Sequence, residues 1–263
     1  MDQAKPVSYM SYLKLDELLA LQQPLSSGPE HDETLFIVIH QVYELWFKQM
    51  LHELRHLRAA LTARDTPRAL ATFKRVLTIL KTLVAQVDVI ETITPLSFNA
   101  FRARLEASSG FQSWQFRALE FILGHKREVL VAQYPPGAAH DALQQLLGEP
   151  TVYDAFLQYL DAGGVAVPAQ ALARDVRQPL AADPDVQEAL LAVYRSGGVE
   201  ASVCERLLDL DEGLQEWRYR HVKMVERVIG AKIGTGGSAG AAYLRETLFT
   251  PLFADLWEIR SRL

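Results

Sequence analysis

Three polar residues, His221, His40 and Arg102, stand where helical spacing calls for apolar ones. In Glu216-Trp217-Arg218-Tyr219-Arg220-His221-Val222-Lys223, His221 shares a stripe with Leu210, Leu214, Trp217, Val225 and Val228 at roughly 100° per residue. An inward imidazole is either a neutral core histidine with both nitrogens satisfied or a ligand for a metal or haem, a task the neutral ring suits. His40 repeats the pattern on a face with Phe36, Tyr43, Phe47, Met50 and Leu54. Two inward histidines on different helices suit a haem pocket, with one as axial ligand and the other facing the open side, since a single proximal histidine commonly holds haem. A helical bundle with two internally satisfied histidines is the alternative.

Arg102 follows Phe98 by four residues and precedes Leu105 by three, so its guanidinium runs along an apolar strip. A charge buried without a partner costs several kcal/mol, so it must find an anion. That anion is a buried Asp or Glu, or a substrate carboxylate gripped bidentately; snorkelling to water is the third outcome. Thirteen residues after His221 begins Gly234-Thr235-Gly236-Gly237-Ser238-Ala239-Gly240. It fits the loose dinucleotide pattern, which carries meaning only between a strand and a helix. A helical pattern precedes it here, so it reads as a tightly turned segment whose amides and hydroxyls reach a polar ligand group, or as a plain linker. His52-Glu53-Leu54-Arg55-His56 matches a zinc-protease pattern. His52 and His56 fall opposite the Phe36 to Leu54 stripe, so the match is rejected, and Glu53, Arg55 and Arg58 read as a charged solvent face. Tyr9 and Tyr12, three apart, share a face if helical.

Helices must position these residues, because strand patterns are scarce and helical ones abundant. The patterns predict helices over about 13–22, 31–61, 66–91, 94–105, 111–130, 203–229 and 241–262, with Thr94 as N-cap ahead of Pro95. Tyr134-Pro135-Pro136-Gly137 stops the fifth. Residues 134–200 break into short helices and form a less regular excursion. The reading is all-α, one helical domain over 1–263. Its 263 residues, 49% hydrophobic and 22% charged, supply a large core. A net charge of -5 favours neither nucleic acid nor an anionic membrane. The single cysteine, Cys204, excludes an internal disulfide framework and fits a reducing cytoplasm. The N-terminus lacks the plan of a signal peptide, and no apolar run is long enough to span a membrane.

Several segments together resemble one family, the haem-dependent tryptophan 2,3-dioxygenases. They are Tyr9 to Asp16, His31 to Ile37, His40 to Phe47, Thr92 to Arg102, Ser109 to Arg117, and the His221 and glycine-loop stretches. They follow one another in order along nearly the whole chain, and 130–200 matches least. The resemblance implies an all-α haem b protein, usually a homotetramer, acting on L-tryptophan and O2. It implies His221 as the iron's axial ligand and His40 as the distal histidine meeting the indole N–H. Arg102 would bind the substrate carboxylate. Thr235, with Gly234 and the loop to Gly240, would close over the amino-acid end. Phe36 would line the indole pocket. Tyr9, Tyr12 and Leu13, from the N-terminal segment 1–30, would complete a neighbouring subunit's pocket. Phe98 stands where many bacterial members have a tyrosine, which shifts carboxylate binding toward Arg102. Ala239 replaces a serine common in the loop.

The implied reaction inserts both oxygen atoms and cleaves the indole C2–C3 bond to give N-formyl-L-kynurenine, the first step of tryptophan catabolism by the kynurenine pathway. The protein must hold that bond in place and keep water out. No strong general base is required, so orientation is the first role of His40 and proton abstraction an option. An enzyme acting on another indole, a non-catalytic haem sensor and a haem-free helical interaction protein are the competing readings.

Overall fold

Several helices begin where short polar side chains take up free backbone N–H groups, and some end at a residue in the left-handed conformation. The computed structural model describes residues 6–28, 30–106, 108–230, 232 and 241–263, with backbone alone at 243. Two short helices, α1 (Tyr9–Leu13) and α2 (Leu15–Leu19), form an N-terminal arm. Two long ones follow, α3 (His31–Thr62) and α4 (Thr66–Ile90), and Asp65 caps the second by accepting from the Arg68 N–H. α5 (Pro95–Arg102) starts at Thr94, whose hydroxyl accepts from the Ser97 N–H, and α6 (Trp114–Ile122) starts at Ser113 in the same way. Five shorter helices come next: α7 (Glu128–Val131), α8 (Ala138–Leu147), α9 (Val152–Asp161), α10 (Ala169–Leu172) and α11 (Pro184–Ser196). The chain closes with the long α12 (Val199–Val228), then α13 (Ala241–Glu246) and α14 (Ala254–Glu258). Among the described residues there is no strand.

The long helix α4 packs against both α3 and α12, and α6 and α9 pack on α3. A Cβ at Gly213 would lie 2.7 Å from Leu80 Cδ2, so glycine permits the close approach of α12 to α4. The main apolar cluster takes Leu54, Leu57, Phe73 and Leu210 from the long helices and Leu143, Phe156 and Leu190 from α8, α9 and α11. Burying each such side chain contributes roughly 1.5–3 kcal/mol. A second, smaller cluster joins Ile39, Ile90, Ile93, Phe98, Phe101 and Val228. Residues of both line a cavity.

Four expectations change. The helix expected over 13–22 is two helices, because Lys14 adopts a left-handed conformation (φ 53°) and ends α1. The helix expected over 111–130 is instead α6 and the start of α7: Ser113 caps the first, and the chain turns between them at Gly124 with φ +105°. A Cβ there would come within 2.1 Å of Leu180 Cδ1. The helix expected over 241–262 breaks at Phe249 (φ 59°) before Pro251. Glu53 is not part of a solvated face: it is 3% exposed, accepting from Gln49 and paired with Arg75 at 3.0 Å.

Candidate active site

The cavity, about 250 Å³, lies between α3 and α12, with α5 and α6 forming other walls. Helical period brings its residues together. On α3, Phe36, His40, Tyr43 and Phe47 recur at three- and four-residue steps and all line it. On α12, Trp217, His221, Val225 and Val228 do the same. His40 and His221 therefore face one space, as their inward stripes predict. Phe98 also lines it, packed 5.8 Å from Phe36 between ring centroids.

Each imidazole is held by its neighbours. His40 Nδ1–H donates to the Phe36 carbonyl at 2.7 Å. A carbonyl brings no proton of its own, so Nδ1 carries the hydrogen and Nε2 keeps a lone pair. Burial pushes the His40 pKa below its ordinary value, and the Phe36 carbonyl and Glu44 only partly offset it. Burial and then the neighbouring His40 drive His221 down to about 4. Both rings are therefore neutral at neutral pH. The His221 ring stacks on Trp217, with centroids 5.1 Å apart and planes 7° from parallel. Phe116 at 4.9 Å and Phe47 at 6.1 Å fix the indole of Trp217 in turn. Among the described residues His221 has no hydrogen-bond partner, so its nitrogen lone pair is not engaged by a donor. Trp217 Nε1 is buried without a hydrogen bond of acceptable geometry, although it approaches the Tyr43 hydroxyl.

A charged cluster forms part of the wall. Glu120 Oε2 pairs with Arg117 at 2.7 Å and Arg127 at 3.0 Å, and Oε1 with Arg218 at 3.3 Å. Burial raises the Glu120 carboxyl, but three guanidiniums outweigh it and hold it low. Burial lowers Arg218, and Glu120 and Asp211 oppose that. Sequence reading passed over Arg117, Glu120 and Arg218 because charged residues on helices read as solvent-facing. The available signal was the setting of Arg117 and Glu120, three apart among Phe116, Leu119 and Phe121. Glu44, one turn beyond His40, lines the cavity too and accepts from Gln115 at 2.8 Å.

The other expected site residues lie at several distances from this space. Arg102 ends α5 one turn beyond Phe98; it is half-buried, interacts with its surroundings and is outside the cavity lining. Gly234 and Thr235 fall outside the described residues. The chain on either side of them reaches the cavity through Lys232, Leu244 and Thr247. Tyr9 and Tyr12 are 74% and 77% exposed, and Leu13 is exposed beside them on the arm. His52 and His56 are exposed on α3, turned away from buried Glu53.

The family profile described as tryptophan 2,3-dioxygenase matches residues 1–158 and 184–263. A tryptophan 2,3-dioxygenase of Herpetosiphon aurantiacus is 59% identical over 260 residues, covering 99% of this chain and 100% of the relative. One from Anaeromyxobacter sp. strain K is 60% identical over 258 residues, covering 98% of this chain and 96% of the relative. A more distant one, from Bordetella parapertussis, is 45% identical over 269 residues, covering 100% of this chain and 93% of the relative. The unmatched stretch, 159–183, lies within the segment where the sequence motifs were weakest.

Proposed function

This chain belongs to the tryptophan 2,3-dioxygenase family, and we propose that the cavity between α3 and α12 is where it opens the indole ring of L-tryptophan. Its activity is the family's: tryptophan and O2 give N-formyl-L-kynurenine, with both oxygen atoms placed across the broken C2–C3 bond. The observation that carries the location is the pair of neutral imidazoles, one from each long helix, facing one largely apolar space.

The residues present fit haem b as the cofactor. His221 offers an uncharged ring with no competing donor among the described residues, held at a fixed angle by Trp217. Aliphatic and aromatic walls suit a macrocycle. When bound, haem supplies the iron at which O2 is activated. His221 is the residue that would hold that iron. His40 Nε2, the lone pair left by the bond to Phe36, is the acceptor for the indole N–H. Its role is to orient the ring, which requires no strong base. Phe36 and Phe98 pack on the flat substrate and keep water from it. Arg102 grips the carboxylate, and Thr235 with Gly234 meets the amino-acid end. With phenylalanine at 98, no hydroxyl there shares the carboxylate with Arg102.

The assembly proposed is a homotetramer in which Tyr9, Tyr12 and Leu13 complete a neighbour's pocket. The exposure of these apolar side chains on a short arm supports it. Among the described residues no helix is long and apolar enough to cross a membrane, and cytoplasmic residence is the setting proposed.

The deciding experiment supplies reduced, haem-loaded protein with air and L-tryptophan, then with 3-methylindole. N-formylkynurenine from the first and little turnover of the second is expected. No product from tryptophan would overturn the reading. A His221→Ala protein with unchanged axial ligation in its spectrum would overturn the iron assignment.

A further inference from the structure

A groove runs along the face where α4 and α12 lie side by side, and it shares no lining residue with the cavity of the site. The two helices point the same way, since Leu80 meets Gly213, Asp88 pairs with Arg220, and Glu91 pairs with Arg227. On α4, Leu70, Leu77 and Val84 recur every seven residues and line the groove half-buried. Lys74 and Lys81 follow the first two by four residues and stand exposed beside them. A seven-residue apolar seam flanked by charges is a face on which one helix seats another, the charges choosing partner and direction.

The α12 wall has the opposite sign. Its Arg206 and Asp209 pair with each other at 2.9 Å, which leaves the carboxylates of Glu212 and Glu216 exposed on that wall. Among the described residues no ion pair joins the two walls. The groove is therefore neutral as a whole, with three bases against three acids, but divided lengthwise into a basic wall and an acidic one. A partner of a single sign would gain on one wall what it loses on the other. The occupant that suits both walls carries the reverse division at the same spacing, and this face turned about a two-fold axis does so. Rotation by 180° about an axis normal to the face lays α4 of one copy over α12 of the other, antiparallel. Each lysine row then meets a glutamate row, and the two apolar seams close on each other.

We propose that the α4–α12 face seats the same face of a second copy of this chain, with Lys74 and Lys81 meeting Glu212 and Glu216 of the partner subunit. This rests on the homotetramer reading above and adds to it. A dihedral tetramer of identical chains needs two different two-fold contacts, and the arm accounts for one.

The test measures the mass of full-length, haem-loaded protein by sedimentation equilibrium. Wild type is expected at four chains. Lys74→Glu with Lys81→Glu makes both walls acidic, and Glu212→Lys with Glu216→Lys makes both basic. Each double variant should fall to half the wild-type mass, because a two-fold axis turns every substitution into two altered contacts. The fourfold variant exchanges the walls and should return to four chains, as should a one-to-one mixture of the two doubles. Recovery in the mixture also shows that each double folds. None of the four side chains lines the cavity, so the half-mass proteins should keep their tryptophan turnover per haem. Double variants that hold the wild-type mass would overturn the interface. So would a fourfold variant and a mixture that both stay at half mass, since the charges would then act within one chain. A two-chain wild type would overturn the tetramer; reversals that split it and a mixture that rebuilds it would still support the face, whereas reversals that leave it whole would overturn the face as well. A monomeric wild type would overturn both.

Discussion

His40 can accept an indole N–H only while its ring stays neutral. The Phe36 carbonyl fixes the one proton on Nδ1, so a second proton must go to Nε2 and remove the acceptor. Burial holds the folded pKa below the ordinary 6.5. Tryptophan binding should therefore be level above pH 6.5 and fall as pH drops through the lower, folded value. Titrating affinity against pH checks this, and an acid limb centred above 6.5 counts against it. Arg102→Met should weaken L-tryptophan binding by about 2–5 kcal/mol, the range for breaking a desolvated charge pair. Tryptamine, which lacks the carboxylate, should bind the variant and the wild type alike. A parallel loss for both ligands would remove Arg102 from the carboxylate role. At this scale the histidines were legible because a polar residue on an apolar stripe breaks a period. Arg117, Glu120 and Arg218 were not, because their burial depends on α6 and α12 meeting, and no local pattern encodes that meeting.

Long elements with a sustained apolar stripe were read correctly. α3, α4 and α12 lie within a few residues of the expected 31–61, 66–91 and 203–229. Breaks set by single backbone conformations were not visible, because Lys14 and Phe249 carry no turn signature and yet adopt positive φ. Gly124 is the break with the clearest consequence. It ends α6, the helix that carries Arg117 and Glu120, and its carbonyl accepts from the Leu180 N–H at 3.0 Å. Gly124→Ala adds a Cβ at a φ that L-residues avoid and drives it into Leu180. A loss of roughly 1–3 kcal/mol is expected from strain and overpacking. Denaturant midpoints measure it, and an unchanged midpoint would show that the turn relaxes freely.

At the scale of the whole molecule, the arm of α1 and α2 buries none of its residues in its own chain. If it completes a neighbour's pocket, deleting residues 1–25 should abolish activity without lowering the haem bound per chain. Mixing arm-deleted chains with full-length His221→Ala chains, each inactive alone, should then restore part of the activity, because intact arms from one would serve intact pockets of the other. No recovery in co-assembled mixtures would place the arm's role elsewhere. The role of the arm's tyrosines was implied by the family resemblance alone, and the sharing of one interior by α8, α9 and α11 with the long helices was not foreseen. Residues 134–200 have short helices and little period of their own, and only the burial of Leu143, Phe156 and Leu190 reveals their weight in the core.

The two apolar clusters meet across the cavity rather than fusing into one. In the reading proposed here, part of the molecule's interior is thus supplied from outside the gene product. Folding and cofactor supply become one equilibrium: a ligand at a thousand times its dissociation constant adds about 4 kcal/mol to stability, a large share of what a domain possesses. The melting temperature should then climb with each increment of free haem until the site saturates. The amount of enzyme that survives in a cell would be set by iron-porphyrin availability, before any tryptophan reaches it.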